Sequence, residues 1–358
     1  MVEIMKKGLR LGIIGCGDMA KVHVLALNEI KEAEITAVCD QSTEKRTKLK
    51  ELVKGCQPEE YIDYRDLLKN SQIDAVLVAL PNFLHREVGV AVLKNGRHLF
   101  MEKPLACNTP ECDEILNLAE KKKLVLQVGF IYRYTPHYRK IAELLNKKEI
   151  GKPSLFWTYE YRPNFPHAWR YSQELSGGTL VEKCCHFFDL FNWWAAGPPK
   201  SLIAVGGQNV IKNGIPYHVY CPPTEEFAVS DSTIIDHAFV NIEYHNGIKA
   251  NLALCLFIAW NGHEKDGCQV GIVTEMGKRI ITNEKGLFLY GTKNGKEKLE
   301  IAQEKGKHFP VQEEDREFID CILKDKKPFA DGWVGREAVR IGENAEISIQ
   351  RGGEKIWL

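Results

Sequence analysis

Residues 9 to 40 read LRLGIIGCGDMAKVHVLALNEIKEAEITAVCD, and no other stretch restricts the possible folds as strongly. The apolar run Leu9 to Ile14 predicts a strand buried on both faces, and Gly15-x-Gly17-x-x-Ala20 follows it at once. Gly15 permits a sharp turn, Gly17 lets the backbone approach a pyrophosphate, and Ala20 lets the next helix pack close to the strand. The N-terminus of that helix offers unpaired N–H groups and partial positive charge to an anion. A second strand, Glu34 to Cys39, ends at Asp40, twenty residues beyond Ala20, where a carboxylate accepts hydrogen bonds from an adenosine ribose. A glycine turn alone also occurs in α/β domains that bind no nucleotide. Strand, turn, helix and acid in this order predict a Rossmann dinucleotide site, with Gly15, Gly17, Asp18, Met19, Ala20 and Asp40 contacting the cofactor. The acid favours NAD over NADP, because a 2′-phosphate beside Asp40 brings like charges together. Lys45 and Arg46, five and six residues further on, are the nearest following cations able to offset this by reaching a phosphate.

At 358 residues the chain exceeds what one core usually serves, so two domains are expected, over 1–130 and 131–358. Lysine plus arginine equal aspartate plus glutamate at 48 each, with no long block of one sign, which argues against a nucleic-acid or anionic-membrane partner. No segment holds enough consecutive apolar residues to span a bilayer, and MVEIMKKGLR has no apolar stretch. The expected location is cytoplasmic, and eleven scattered cysteines fit reduced thiols there.

The β-α alternation continues through a third apolar run, Ile73 to Ala79, a helix from about Leu84 to Asn95 ended by Gly96, a fourth strand His98 to Met101, a helix capped by Thr109 that runs to about Lys122, and a fifth strand Leu124 to Val128. From Lys152 the strands lengthen and alternate: Ser154 to Tyr161, Ser201 to Val210, Thr233 to Tyr244, Ile248 to Ile258 and Gln269 to Thr274, with His245-Asn246-Gly247 as a hairpin turn. Helices over about Gln312 to Lys324 and Gly332 to Ile349 close the chain, the last able to pack back on the N-terminal domain. The fold class expected is α/β followed by α+β: a parallel Rossmann sheet, then a domain built on an open, mostly antiparallel sheet. The open face favours a homo-oligomer, a homodimer or homotetramer.

Ligands of open α/β sheets bind outside the carboxyl ends of the strands, which singles out Gly15 to Ala20, Pro81-Asn82-Phe83-Leu84-His85 and Glu102-Lys103-Pro104. Lys103, stiffened by the adjacent proline, can aim an ammonium at a bound oxygen. The second domain contributes Ser176-Gly-Gly-Thr-Leu-Val-Glu182-Lys183-Cys184-Cys185-His186-Phe-Phe-Asp189. Glu182 and His186 are four apart, so on one amphipathic helix they share a face, the histidine as proton shuttle and the acid orienting it. The alternative is a surface ion pair. Cys184-Cys185-His186 does not read as a metal site, because successive helical residues diverge and no second ligand pair at zinc spacing exists.

GCGDMA, ALPNFLH, GRHLFMEKPLA, GFIYRYTP and SGGTLVEKCCHFFDL, in this order, resemble the Gfo/Idh/MocA oxidoreductase family, which includes inositol dehydrogenases and glucose-fructose oxidoreductase. The resemblance implies that the glycine turn binds NAD(P), that Lys103 contacts the reacting hydroxyl, and that Glu182 and His186 supply the acid and histidine of the active site. It also places Pro81, Asn82 and His85 near the nicotinamide ribose, with Glu102 and Lys103, and matches Trp169-Arg170 to a pair preceding the glycine-rich segment. Glu182 is one methylene longer than the usual aspartate, and Lys183-Cys184 replaces the usual x-Gly. The activity implied is hydride transfer between a secondary alcohol of a sugar, cyclitol or related polyol and nicotinamide. Lys103, Arg133, Tyr161, Trp169, Arg170, Glu182 and His186 are the substrate-binding candidates, with Tyr132, His167 and His263 as further pocket-lining residues. Two other functions fit the same motifs: an NAD-dependent glycosidase using transient oxidation, and a non-catalytic nucleotide-binding sensor.

Overall fold

The computed structural model describes residues 8–69, 72–147, 149–163, 165, 167–211, 232–258, 268–301, 308 and 310–358. The chain divides into two compact units, Met1–Tyr134 with Glu304–Arg336, and Thr135–Gln303 with Glu337–Leu358.

The first unit is a parallel sheet. Its elements run β1 (Leu9–Ile14), α1 (Asp18–Leu27), β2 (Ala33–Cys39), α2 (Thr43–Leu52), β3 (Glu59–Tyr61), α3 (Tyr64–Lys69), β4 (Ala75–Val78), α4 (His85–Lys94), β5 (His98–Glu102), α5 (Thr109–Lys122) and β6 (Leu126–Gly129). The strand order is β3-β2-β1-β4-β5-β6, with every pair parallel. That is the doubly wound order whose switch point lies between β1 and β4. Leu11, Ile13, Ala20, Val24, Val38, Leu77 and Phe100 are buried in one core cluster, as a strand covered on both faces requires. The short, exposed β3 carries no apolar pattern and is absent from the sequence reading. A second correction concerns α5: Asn108, not Thr109, caps it, its side chain accepting from Glu111 N–H. Gly96 follows α4 at φ +73°, the left-handed position that ends a helix. The helix Val311–Leu323 also belongs to this unit and packs its Phe318 and Ile319 into the same cluster.

The second unit holds α6 (Pro136–Lys147), β7 (Pro153–Tyr161), α7 (Gln173–Ser176), α8 (Thr179–Glu182), α9 (Cys185–Ala195), β8 (Pro199–Gly207), β9 (His237–Tyr244), β10 (Lys249–Cys255), β11 (Cys268–Thr274), β12 (Arg279–Asn283), β13 (Gly286–Thr292), β14 (Gly295–Lys298) and β15 (Ile356–Trp357). Among the described residues these strands form a nine-stranded sheet, β14-β13-β12-β11-β7-β10-β9-β8-β15. Only the β7–β10 pair is parallel. The predicted hairpin joins β9 to β10, with Gly247 at φ +90° and its N–H donating to Tyr244 O at 3.0 Å. One face is covered by α9, whose Phe191 stacks on Phe156 of β7 at 5.8 Å with Trp194 beside it. Alternation sends Leu155, Trp157, Tyr159 and Tyr161 to the other face, which across β10 also carries Phe239 of β9 and Ile203 and Val205 of β8, and among the described residues that face is open. A Cβ on Gly271 of β11 would fall 1.3 Å from a ring carbon of Trp157, so the indole occupies the space that a side chain there would need.

Candidate active site

At the β1–α1 turn Gly15 has φ +92°, and a Cβ would lie 2.3 Å from Ala79 O, so packing alone demands glycine. Gly17 is different. Its φ is −77°, and a Cβ there would meet no protein atom within 4 Å. The protein itself does not require glycine at 17, which fits a position kept bare for a ligand's close approach. Gly17 caps α1 without a side-chain hydrogen bond, leaving the first-turn donors in place for an anion. Ala20 is fully buried, as the close packing of α1 requires. Burial pushes the Cys16 thiol up to about 12, so it serves as packing.

Asp40 is held by two backbone donors. Cys16 N–H reaches Oδ2 at 2.9 Å and Ser42 N–H reaches Oδ1 at 2.8 Å, which fixes the carboxylate beside the turn with lone pairs to spare. Arg46 is buried, donating to Asp40 O at 2.6 Å and Thr43 Oγ1 at 3.0 Å, with Nε 3.5 Å from Glu60. Its guanidinium is committed to the protein, while Lys45 is exposed.

The loops after β4 and β5 depart from the sequence reading in two places. His85 is fully buried, with Nδ1 2.7 Å from Pro104 O and Nε2 2.9 Å from Leu80 O. It braces these two loops against each other, and burial holds it below its ordinary pKa. Glu102 also faces inward. Its Oε1 lies 2.9 Å from His23 Nε2, and its Oε2 accepts Lys103 N–H at 3.0 Å. Both side chains therefore support the lysine turn from within the protein. Pro81 and Asn82 open a short 3-10 turn, Leu84 N–H donating to Pro81 O at 3.0 Å.

Sequence reasoning missed His23. It is wholly buried on α1, with Nδ1 2.7 Å from Asp315 Oδ1 of the Val311–Leu323 helix. Burial opposes its charge, yet Asp315 and Glu102 outweigh that and hold it well above its ordinary value. Glu314, buried nearby, is driven upward by burial first and by Glu102 second. A histidine amid apolar helix residues was the one available signal, because its acid partner lies 292 residues away.

In the second unit Glu182 and His186 fall on two helices, not one. The helix breaks at Lys183 and Cys184: α8 ends at Glu182 and α9 begins at Cys185, with His186 in its first turn. Nor is α9 amphipathic, since nine of its eleven residues are buried. Glu182 is almost fully buried, and Arg170 Nε sits 3.3 Å from its Oε1, the guanidinium lying over Trp169 at 5.1 Å. Lys183, at the variable position of the pattern, pairs with Glu160 of β7 at 3.2 Å, so its charge is balanced locally. Glu182, Arg170 and Trp169 thus come together, and the pair Lys183–Glu160 belongs to the same helix-covered face.

The remaining candidates are distributed over both units. Tyr161 lies on the open face of the sheet, stacked on Tyr159 at 4.8 Å, opposite the face bearing Glu160 and the helices. Arg133 and Tyr132 belong to the first unit, in a 3-10 turn. Arg133 is buried, donates to Phe329 O at 2.7 Å and stacks on that ring. His167 precedes the 3-10 turn Ala168–Tyr171, and His263 lies outside the described residues.

The segment leading to Glu182 is fixed by two glycines and a buried acid. Gly177 and Gly178 have φ +82° and +89°, and a Cβ on Gly178 would fall 2.5 Å from Glu346 Oε1. That oxygen accepts Leu180 N–H at 3.3 Å. Burial raises the Glu346 carboxyl from 4.5 to about 7, so folding favours its protonated form. This contribution is fully present below the unfolded value near 4.5 and is lost as pH rises to about 7. Glu346→Gln keeps an acceptor without the charge, so its stability advantage over the unmodified protein should grow across that window to on the order of 3 kcal/mol at pH 8. Denaturant melts of both proteins at pH 4.5 and pH 8 check this, and a pH-independent difference would contradict it.

The first unit has the strand order, bare glycine and ribose-type acid of a dinucleotide-binding domain, and the second carries an acid and a histidine at a glycine-fixed turn. This is the architecture of a Rossmann dinucleotide-binding domain followed by a domain built on a mostly antiparallel sheet. The chain belongs to the Gfo/Idh/MocA family: the model of the oxidoreductase family's NAD-binding Rossmann fold matches residues 9–130, and that of the family's C-terminal domain matches residues 138–277. It is 34% identical over 204 residues to the uncharacterized oxidoreductase YrbE of Bacillus subtilis, covering 56% of this chain and 58% of that protein. It is 30% identical over 187 residues to the inositol 2-dehydrogenase/D-chiro-inositol 3-dehydrogenase of Lactiplantibacillus plantarum, covering 51% of each. The chain thus spans about half the length of the curated relatives it matches. Aldose-aldose oxidoreductase from Caulobacter crescentus shares the fold at a TM-score of 0.80 and 18% identity, over 98% of this chain and all of that one (100%). Among the described residues no helix is long and apolar enough to cross a membrane.

Proposed function

We propose that this protein is an NAD-dependent dehydrogenase that acts on a secondary alcohol of a sugar, cyclitol or related polyol. The observation that carries the reading is the Gly17 turn beside Asp40: a backbone cradle that a Cβ would fill, next to a carboxylate fixed by two N–H groups. The donor set fits the cofactor, with α1 facing the pyrophosphate and Asp40 the adenosine ribose. The nicotinamide, when bound, supplies the hydride acceptor. The relative named as an inositol 2-dehydrogenase/D-chiro-inositol 3-dehydrogenase supports a polyol substrate.

Lys103 donates a hydrogen bond to the alcohol oxygen and stabilises negative charge as its proton leaves. His186 accepts that proton, and Glu182, oriented by Arg170, binds a neighbouring hydroxyl. Trp169 offers a flat apolar wall of the kind that sugar and cyclitol rings favour. The exposed Leu155, Ile203, Val205, Phe239 and Trp357 support burial of the open sheet in a homodimer or homotetramer.

A screen of sugars and cyclitols with NAD, followed by NADH absorbance and thermal stability together, tests the reading. Formation of NADH with at least one polyol is expected. Cofactor binding without turnover of any polyol would reject the dehydrogenase assignment. With Arg46 tied into the protein, NAD should be preferred over NADP, and Asp40→Ala should narrow the preference. Equal kcat/KM for both cofactors in the unmodified protein would overturn the role given to Asp40.

A further inference from the structure

We propose that His23 is a positioning residue that ties the cofactor-facing helix α1 to the lysine turn, so that Lys103 is aimed only when α1 is in place. This rests on the proposed role of Lys103 at the reacting oxygen. The link is a continuous chain of contacts. His23 lies on α1, five residues beyond Asp18 at its start. Its Nε2 is 2.9 Å from Glu102 Oε1 and its Nδ1 is 2.7 Å from Asp315 Oδ1. An acid oxygen at each ring nitrogen favours the charged, doubly donating form of the ring, and together the two acids hold His23 well above its ordinary value even though burial raises Asp315 itself. Glu102 then passes the constraint on, its Oε2 accepting the backbone N–H of Lys103 at 3.0 Å.

The surroundings are built around this carboxylate. A Cβ on Gly129 of β6 would lie 3.1 Å from Glu102 Cδ and Oε2, so the neighbouring strand is bare where the acid turns inward. Phe100 meets the imidazole edge-on at 5.1 Å, and Phe318 meets Phe100 at 5.6 Å. These rings hold the ring plane and exclude water, which strengthens the charged hydrogen bonds. Apolar residues of the same volume would satisfy packing at lower desolvation cost. What they would not do is fix the Lys103 backbone from α1.

The test compares His23→Gln, which reaches one acid but not both, with Asp315→Asn, which keeps an acceptor and removes a charge. With a confirmed polyol, His23→Gln should lower kcat tenfold or more at little change in KM. The primary deuterium isotope effect on kcat should rise, because hydride transfer to a misaligned site becomes the slow step. A purely structural role would lower kcat only with the folded fraction and leave the isotope effect unchanged. Asp315→Asn should move both quantities the same way by a smaller factor, and it serves should His23→Gln not fold. A readout independent of turnover is the acylation rate of the Lys103 amine in the NAD-bound protein, followed by peptide mass spectrometry with exposed lysines as internal reference. A change of threefold or more is expected in either variant. Unchanged Lys103 reactivity would overturn the proposal even if no polyol were found, whereas altered reactivity without turnover would reject the dehydrogenase reading and leave His23 standing.

Discussion

Replacing His186 with alanine should lower turnover by on the order of a hundredfold or more, the usual scale for a positioned acid–base group, while leaving cofactor affinity nearly unchanged. The histidine sits in the first turn of α9 and is almost fully buried, so it is held in place by the helix layer. Lys103→Ala should cost at least as much, since it removes an electrostatic contact made to the oxygen as charge develops there. If the two residues serve one hydroxyl, the effects are strongly non-additive, because a proton acceptor gains little once the charge it relieves is no longer stabilised. Steady-state kinetics of the two single variants and the double variant decide the matter. A double loss equal to the product of the single losses would contradict a shared reacting group, and near-full turnover by either single variant would reject the mechanism.

The second large effect belongs to the turn. Gly17→Val should abolish NAD binding and leave the fold intact, because no protein atom lies within 4 Å of the position its Cβ would take and φ is an ordinary −77°. Gly15→Val is the control of opposite kind, since its Cβ would collide with Ala79 O at 2.3 Å and φ is +92°. The first variant should melt like the unmodified protein and show no cofactor titration. The second should lose stability. Undiminished NAD affinity in Gly17→Val would place the pyrophosphate elsewhere.

These contrasts follow how far the sequence could be read. Strands β1, β2, β4 and β5 were legible because a strand covered on both faces is a continuous apolar run, and the glycine turn marked its own ends. The polar, exposed β3 and the ribbon β12 to β14 were not, since edge strands owe their pairing to neighbours more than to burial. Tyr161 illustrates a different limit. Alternation in β7 was plain, but which of its two phases faces the helices is set by Phe156 packing on Phe191, a contact across 35 positions that composition does not reveal. The Glu182–His186 spacing was likewise visible, whereas the break between them at Lys183 and Cys184, which puts the two residues on separate helices, was not. Glu102, His85 and Arg133 were read as ligand contacts from their loops and from the family resemblance. Each points into the protein, toward His23, toward two carbonyls and toward Phe329 respectively. Buried polar partners distant in sequence are the part of a site that motif spacing conveys least.

The central claim is that hydride passes from a polyol carbon to the bound nicotinamide. The most direct measurement is a single turnover with a polyol deuterated at the reacting carbon and stoichiometric protein and NAD, followed by mass spectrometry of the cofactor and the sugar product. The account predicts one deuterium in the reduced cofactor and a ketone in the product. Deuterium retained in the product with no net reduced cofactor would contradict it and match transient oxidation with glycoside cleavage instead.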